Sequence, residues 1–145
     1  MALKTIYITR RETFNAAHKL WREDWSAEKN WEVFGKCSNE NWHGHNFSIF
    51  VTVKGVPSPE TGFVINLKEL SRILKEEVVE QLDHKNLNLD VPFLKGILAS
   101  TENVAIHIWD RIKDPIKIAG GELVKIKLVE TENNFVEYYG GKEPF

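Results

Sequence analysis

One cysteine, one methionine and five prolines are all that this 145-residue chain holds of those types. A single cysteine, Cys37, makes no internal disulfide, so the fold does not depend on an oxidising compartment. Neither sign of charge is in excess: 19 Lys and Arg against 21 Asp and Glu leave a formal net charge of −2. With no basic run either, no nucleic-acid partner is expected. No apolar run approaches the ~20 residues of a membrane span. The opening residues, Met1-Ala2-Leu3-Lys4-Thr5, lack the apolar core of a signal peptide. No membrane partner and a cytoplasmic location are therefore expected, and the sequon Asn46-Phe47-Ser48 is read as chance. Internal repeats and low-complexity tracts are absent. What is present is an ordinary globular composition, 42% hydrophobic and 28% charged, in one domain spanning 1–145.

Histidine is scarce as well, and its placement is informative. Of five histidines, three fall between positions 18 and 45 together with the lone cysteine. Cys37 is followed, five residues on, by His43-Gly44-His45. The run after it, Asn46 to Val53, is β-rich, and on a strand alternate side chains share a face, so His43 and His45 project together. Such a pair is a surface feature in many proteins, and a lone cysteine is commonly a buried small hydrophobe. Crowding favours a metal site here, with His18 in Phe14-Asn15-Ala16-Ala17-His18 as the third candidate. Three neutral imidazoles without a fourth protein ligand describe a catalytic zinc site, whose open position takes water or substrate.

Hydrophobic periodicity orders the chain as ββααββ. Alternation from about Leu3 to Lys19 predicts a long strand with Phe14, Ala16 and His18 on one face. Leu20 to Lys36 reads as a charged loop, with Trp21, Trp25 and Trp31 as loop anchors rather than ligand-stacking rings. A second strand covers 45–55. Asn66 is a good N-cap with Glu69 in a capping-box position. The stripe Leu67, Leu70, Ile73, Leu74, Val78, Leu82 then predicts a helix to about Asp83. A second helix starts at Ser100 or Thr101 and stops before Pro115. Leu123–Val129 and Phe135–Tyr139 form a hairpin about Thr131-Glu132-Asn133-Asn134. The expected fold is α+β: a four-stranded antiparallel sheet with both helices on one face. Its uncovered edges invite strands from neighbouring subunits.

Asp83-His84 follows the first helix. Neighbours in the chain do not readily pair face to face, so a local salt bridge is not the obvious reading. With Cys37 they complete the inventory for an activated thiolate. Glu130 ends an apolar strand, where a buried carboxylate needs donors. A bicyclic heterocycle with a ring N–H beside an exocyclic amine offers two.

These segments together resemble the 6-pyruvoyl-tetrahydropterin synthase family over nearly the whole chain. They are Phe14 to His18, Cys37-x5-His43-Gly44-His45-Asn46, Thr61-Gly62-Phe63-Val64-Ile65-Asn66-Leu67, Leu82-Asp83-His84-Lys85-Asn86-Leu87, Ser100-Thr101-Glu102-Asn103-Val104-Ala105 and Glu130 to Asn134. The resemblance implies a tunnelling (T-fold) subunit, three of which close a barrel, with two trimers stacked as a hexamer. It implies one zinc per subunit on His18, His43 and His45, with Mg2+ as a companion of the triphosphate. It implies Cys37 as the base, with Asp83 and His84 from a neighbouring subunit, and Glu130 as the pterin anchor with Ser100 and Thr101 in its pocket. The implied reaction converts 7,8-dihydroneopterin triphosphate to 6-pyruvoyl-tetrahydropterin with loss of triphosphate, a lyase step of tetrahydrobiopterin-type synthesis. The runner-up is 6-carboxytetrahydropterin synthase of the queuosine pathway, which releases acetaldehyde; its usual Cys-x3-His-Gly-His is shorter than the x5 spacing here. Two readings from other classes stay open: a non-catalytic zinc and pterin-binding module, and a hydrolase using Cys37 and His84 as a nucleophilic pair. Lys19, Arg22, Lys36 and Lys85 are the candidate cations for the triphosphate. The sequence assigns no role to His107.

Overall fold

The computed structural model describes residues 3–144. Alternating burial produces two long strands, β1 (Ile6–His18) and β2 (His43–Gly55), paired antiparallel along their full lengths. With β3 (Lys85–Asn86), β4 (Glu122–Thr131) and β5 (Asn134–Tyr138) they form one sheet in the order β3-β1-β2-β4-β5. The four antiparallel strands stand as expected. The fifth, β3, corrects that count: two residues pair parallel to Ala16 and Ala17 at the end of β1. It exists because the chain leaving the preceding helix bonds to β1, His84 N–H to Asn15 O at 2.6 Å and Leu87 N–H to Ala17 O at 2.8 Å.

Among the described residues three helices accompany the sheet, one more than expected. Residues 20–36 are not only a loop: α1 (Ala27–Phe34) lies within them, with Ser26 Oγ accepting the Lys29 N–H. Eight residues are too short to show a clear apolar period, so local capping is what marks it. α2 (Leu67–Leu74) continues through a π-helical turn, Lys75–Val79, and ends at Leu82. Asn66 caps it by accepting the Lys68 N–H, but the capping box does not form, because the Glu69 carboxylate pairs with Arg72 instead. α3 (Thr101–Ile118) runs past the expected stop at Pro115. Pro115 lies in the final turn, where one missing N–H costs little helix and Ile116 stays fully buried.

The core lies between α2, α3 and one face of the sheet, with Phe47, Ile49, Val51, Ile126 and Leu128 against Leu70, Ile73, Val104, Ile108 and Ile112. Among the described residues the other face carries no helix. There Arg11 and Lys127 sit over the Phe50 ring at 5.8 and 5.6 Å, and Tyr7 and Phe135 are exposed. Among the described residues no helix is long and apolar enough to cross a membrane.

Candidate metal centre and active site

The site forms where β1 ends and β2 begins, on the helix-covered face. Full-length pairing of the two strands sets His18 opposite His43 and Ala16 opposite His45. Strand alternation then aims all three imidazoles to the same side. Gly44 between them faces away, where a Cβ would come within 3.3 Å of the Ala16 carbonyl oxygen. The ring centroids are 4.5, 5.1 and 5.0 Å apart. One nitrogen from each ring lies within 4.8 Å of the others.

The chemistry of those nitrogens fits a metal. His18 Nδ1 donates to the Ala99 carbonyl at 2.7 Å, since a carbonyl can only accept, and this leaves Nε2 with its lone pair free. His18 Nε2, His43 Nδ1 and His45 Nε2 are buried without a hydrogen-bond partner. Buried polar atoms are normally satisfied, so three unpartnered imidazole nitrogens in one cluster suit a cation. Burial pushes all three histidines below the usual imidazole range, and each is further lowered by a neighbouring imidazole. They are neutral at pH 7, the form that ligates. A histidine triad suits zinc.

Glu130 stands beside the triad, its carboxylate oxygens 3.5 Å from His45 Nε2 and 3.9 Å from His18 Nε2. The β4–β5 register shifts between Val129 and Thr131, so Glu130 sits at a bulge, a device that re-aims a side chain at the end of a ladder. The Thr101 hydroxyl donates to Glu130 Oε2.

Cys37 belongs to the turn Gly35–Ser38 that follows α1. Ser38 Oγ donates to Gly35 O at 2.7 Å, and Leu20 N–H donates to Cys37 O at 2.7 Å, which ties the turn to the end of β1. Cys37, His43, His45 and Glu130 line one cavity of about 450 Å³ with Trp31, Lys36 and Asn39. Glu130 and Thr101 also line an adjoining cleft of about 460 Å³ with Asn133 and Asn134. Glu130 therefore opens on both sides.

Other expected residues lie elsewhere. Ser100 caps α3, its hydroxyl accepting the Asn103 N–H at 3.2 Å, and lines neither cavity. Asp83 and His84 are also outside both. Contrary to expectation they pair with each other, His84 Nδ1 to Asp83 Oδ2 at 2.9 Å. A left-handed His84 backbone, φ 59°, turns the ring back onto its neighbour. The Asn15 N–H on Asp83 Oδ1, with His84 on the other oxygen, holds that carboxyl below its ordinary range. The His84 side chain is 84% exposed.

Of the four candidate cations, Lys36 lines the cavity. Arg22 is held by both carboxylate oxygens of Asp24, and the Lys19 ammonium lies over Trp42 and Trp21 at 4.3 and 5.3 Å. Lys85 is in β3. Trp25 anchors its loop as expected, stacked on Phe34. Trp31 does not: it is exposed and lines the cavity. Sequence reasoning missed Trp31 and Asn39 as wall residues and the Ala99 carbonyl as a histidine partner. For Asn39 the polar stretch around Cys37, Gly35 to Asn41, was a hint.

Comparison with known proteins agrees with this geometry. Residues 7–141 match the family model for 6-pyruvoyl tetrahydropterin synthase. The chain is 46% identical over 133 residues to 6-pyruvoyl tetrahydrobiopterin synthase of Pongo abelii, covering 92% of this chain and 90% of that one. It is 46% identical over 137 residues to the Dictyostelium discoideum protein of the same name, covering 94% and 98%. Its fold superposes on the Caenorhabditis elegans 6-pyruvoyl tetrahydropterin synthase structure with a TM-score of 0.89 at 34% identity, covering 97% and 99% of the two chains. The chain belongs to the 6-pyruvoyl tetrahydropterin synthase family.

Proposed function

We propose that this protein is a zinc-dependent lyase that converts 7,8-dihydroneopterin triphosphate to 6-pyruvoyl-tetrahydropterin and releases triphosphate, acting in the cytoplasm. The observation that carries the reading is one cavity. It joins two of three orphaned imidazoles, a thiol and a carboxylate already bonded to a hydroxyl. His18, His43 and His45 would hold the zinc, which when bound would supply Lewis-acid stabilisation at the side-chain oxygens of the substrate. Glu130 accepts two hydrogen bonds from the pterin edge, the ring N–H and exocyclic amine, while Thr101 fixes the carboxylate orientation. Cys37, once deprotonated, takes a proton from the carbon beside those oxygens. Lys36 faces the triphosphate, with Mg2+ as its companion ion.

The Asp83–His84 pair acts on Cys37 of a neighbouring subunit. Three features support this: His84 is exposed, it lines neither cavity beside the triad, and one sheet face carries no helix among the described residues. Subunits joined through their sheets into a hexamer of two trimers would bring that pair to a neighbour's thiol.

Incubation of the protein with 7,8-dihydroneopterin triphosphate and mass analysis tests the reading. A pyruvoyl product with free triphosphate is expected. A carboxylate product with acetaldehyde would replace this reading by the queuosine-pathway one. Unchanged substrate that stays bound would leave a binding module.

A further inference from the structure

We propose that Asn103 is a positioning residue that couples the metal end of the site to the pterin end. It rests on the reading that the three histidines hold a metal and Glu130 holds the pterin. The chain approaches α3 through residues 98–100, which have no regular structure. Such a segment needs side-chain bonds to hold one shape. The Leu98 carbonyl accepts two: the Ser100 N–H at 2.8 Å and Asn103 Nδ2 at 2.8 Å. Between them Ala99 is held at the apex of a tight turn. Its carbonyl oxygen meets His18 Nδ1 at 2.7 Å. Two residues on, the Thr101 hydroxyl meets Glu130. One segment of four residues, clamped at its first carbonyl by Asn103, thus sets the tautomer of a metal-facing histidine and the orientation of a pterin-facing carboxylate.

Two Asn103 donors act on this segment, the side-chain Nδ2 on Leu98 O and the main-chain N–H on Ser100 Oγ. The Asn103 main-chain carbonyl accepts from His107 Nδ1 at 2.8 Å. That bond also accounts for His107. Asn103 lines neither cavity, so it acts through Ala99 and Thr101 rather than on a ligand. The bond that orients a metal-bound histidine commonly carries 10–100-fold in metal affinity, and here that bond is to a main-chain oxygen no substitution of Ala99 can remove. Asn103 is the side chain through which it is set.

The test compares zinc affinity, by competition with a chromophoric chelator, in wild type, Asn103→Ala, Asn103→Asp and Asn103→Gln. Asn66→Ala, which removes the cap of α2, serves as a control for lost helix stability. The second readout is the tautomer of His18, from nitrogen shifts in protein labelled with ¹⁵N-histidine. The Ala and Asp variants, which cannot donate to Leu98 O, are expected to bind zinc roughly 10–100-fold more weakly and to show mixed His18 tautomers. The Gln variant, which keeps the amide, is expected to recover part of the affinity. Asn66→Ala is expected to lose Tm without losing zinc affinity. Wild-type affinity and a single tautomer in folded Asn103→Ala would overturn the proposal, as would equal losses in Asn66→Ala. Failure of all three Asn103 variants to fold would assign the residue a purely structural role instead. A wild-type protein that takes up no zinc would overturn the metal reading itself, a result distinct from zinc uptake that Asn103 does not affect.

Discussion

His18 and His43 occupy directly opposed positions on β1 and β2, with ring centroids 4.5 Å apart, and each presents a buried nitrogen that no protein group satisfies. A cross-strand pair of this kind would be a poor exchange for two apolar side chains unless something binds between the rings.

Purified protein is expected to carry about one zinc per chain. His43→Ala should lose the metal and the activity while keeping the fold, since His43 is only half-buried and the core is built without it. Elemental analysis with circular dichroism checks both halves. Full zinc occupancy in the His43→Ala, His45→Ala double variant would remove the triad assignment.

Metal-free protein is expected to lose stability as pH falls below about 6.5. Burial lowers the folded-state pKa of His18, His43 and His45 from 6.5. Between that value and the lower folded-state ones, the unfolded chain binds more protons than the native chain, so acid favours unfolding. The contribution is fully present above 6.5. Tm of chelator-treated protein, followed from about pH 8 to about pH 5, should fall on the acid side, and the slope should shrink in the double variant. An equal slope in both would show that other groups govern it.

Cys37→Ala removes the proposed base but none of the proposed metal ligands and not Glu130, the proposed pterin anchor. Zinc content and substrate affinity should persist while kcat drops by ~10²–10⁴-fold, the usual range for a lost general base. Turnover at the wild-type rate would rule out Cys37 as the proton acceptor.

Mixing two inactive proteins, Cys37→Ala and His84→Ala, should restore part of the activity once subunits exchange. The reason is geometric: His84 is exposed and outside the cavity of its own Cys37, so its use needs a neighbour. Sedimentation should give a hexamer, or at least a trimer. A fully active monomer would contradict a shared site.

If Glu130 anchors the pterin as proposed, Glu130→Ala is expected to raise KM or the substrate Kd more than it lowers kcat, because the pterin donors lose their acceptor. Thr101→Val should do the same more mildly, by freeing the carboxylate it holds. Titration of a pterin by fluorescence quenching measures both. Undiminished pterin affinity in Glu130→Ala would place the anchor elsewhere.

Period-two alternation alone put His43 and His45 on one face, and put Phe14, Ala16 and His18 on another strand's buried face. The apolar stripe from Leu67 to Leu82 alone called for a helix there. These signals are local: each depends on the pitch of one element, which side-chain spacing records directly. Crowding in the sequence named His18 and Cys37 as neighbours of that pair, and family likeness then gave Cys37 and Glu130 their roles. What joined them in space was non-local. The thirteen-residue β1–β2 register set His18 opposite His43, and a register shift in the β4–β5 ladder placed Glu130 at the strand end. A left-handed backbone at His84 made an Asp83 pair that chain adjacency seemed to forbid, and the turn before α3 delivered the Ala99 carbonyl to His18. None of these has a sequence period. Each arises when segments far apart in the chain bury the same surface and must satisfy one another's polar groups, which is a condition on packing rather than on any stretch of residues.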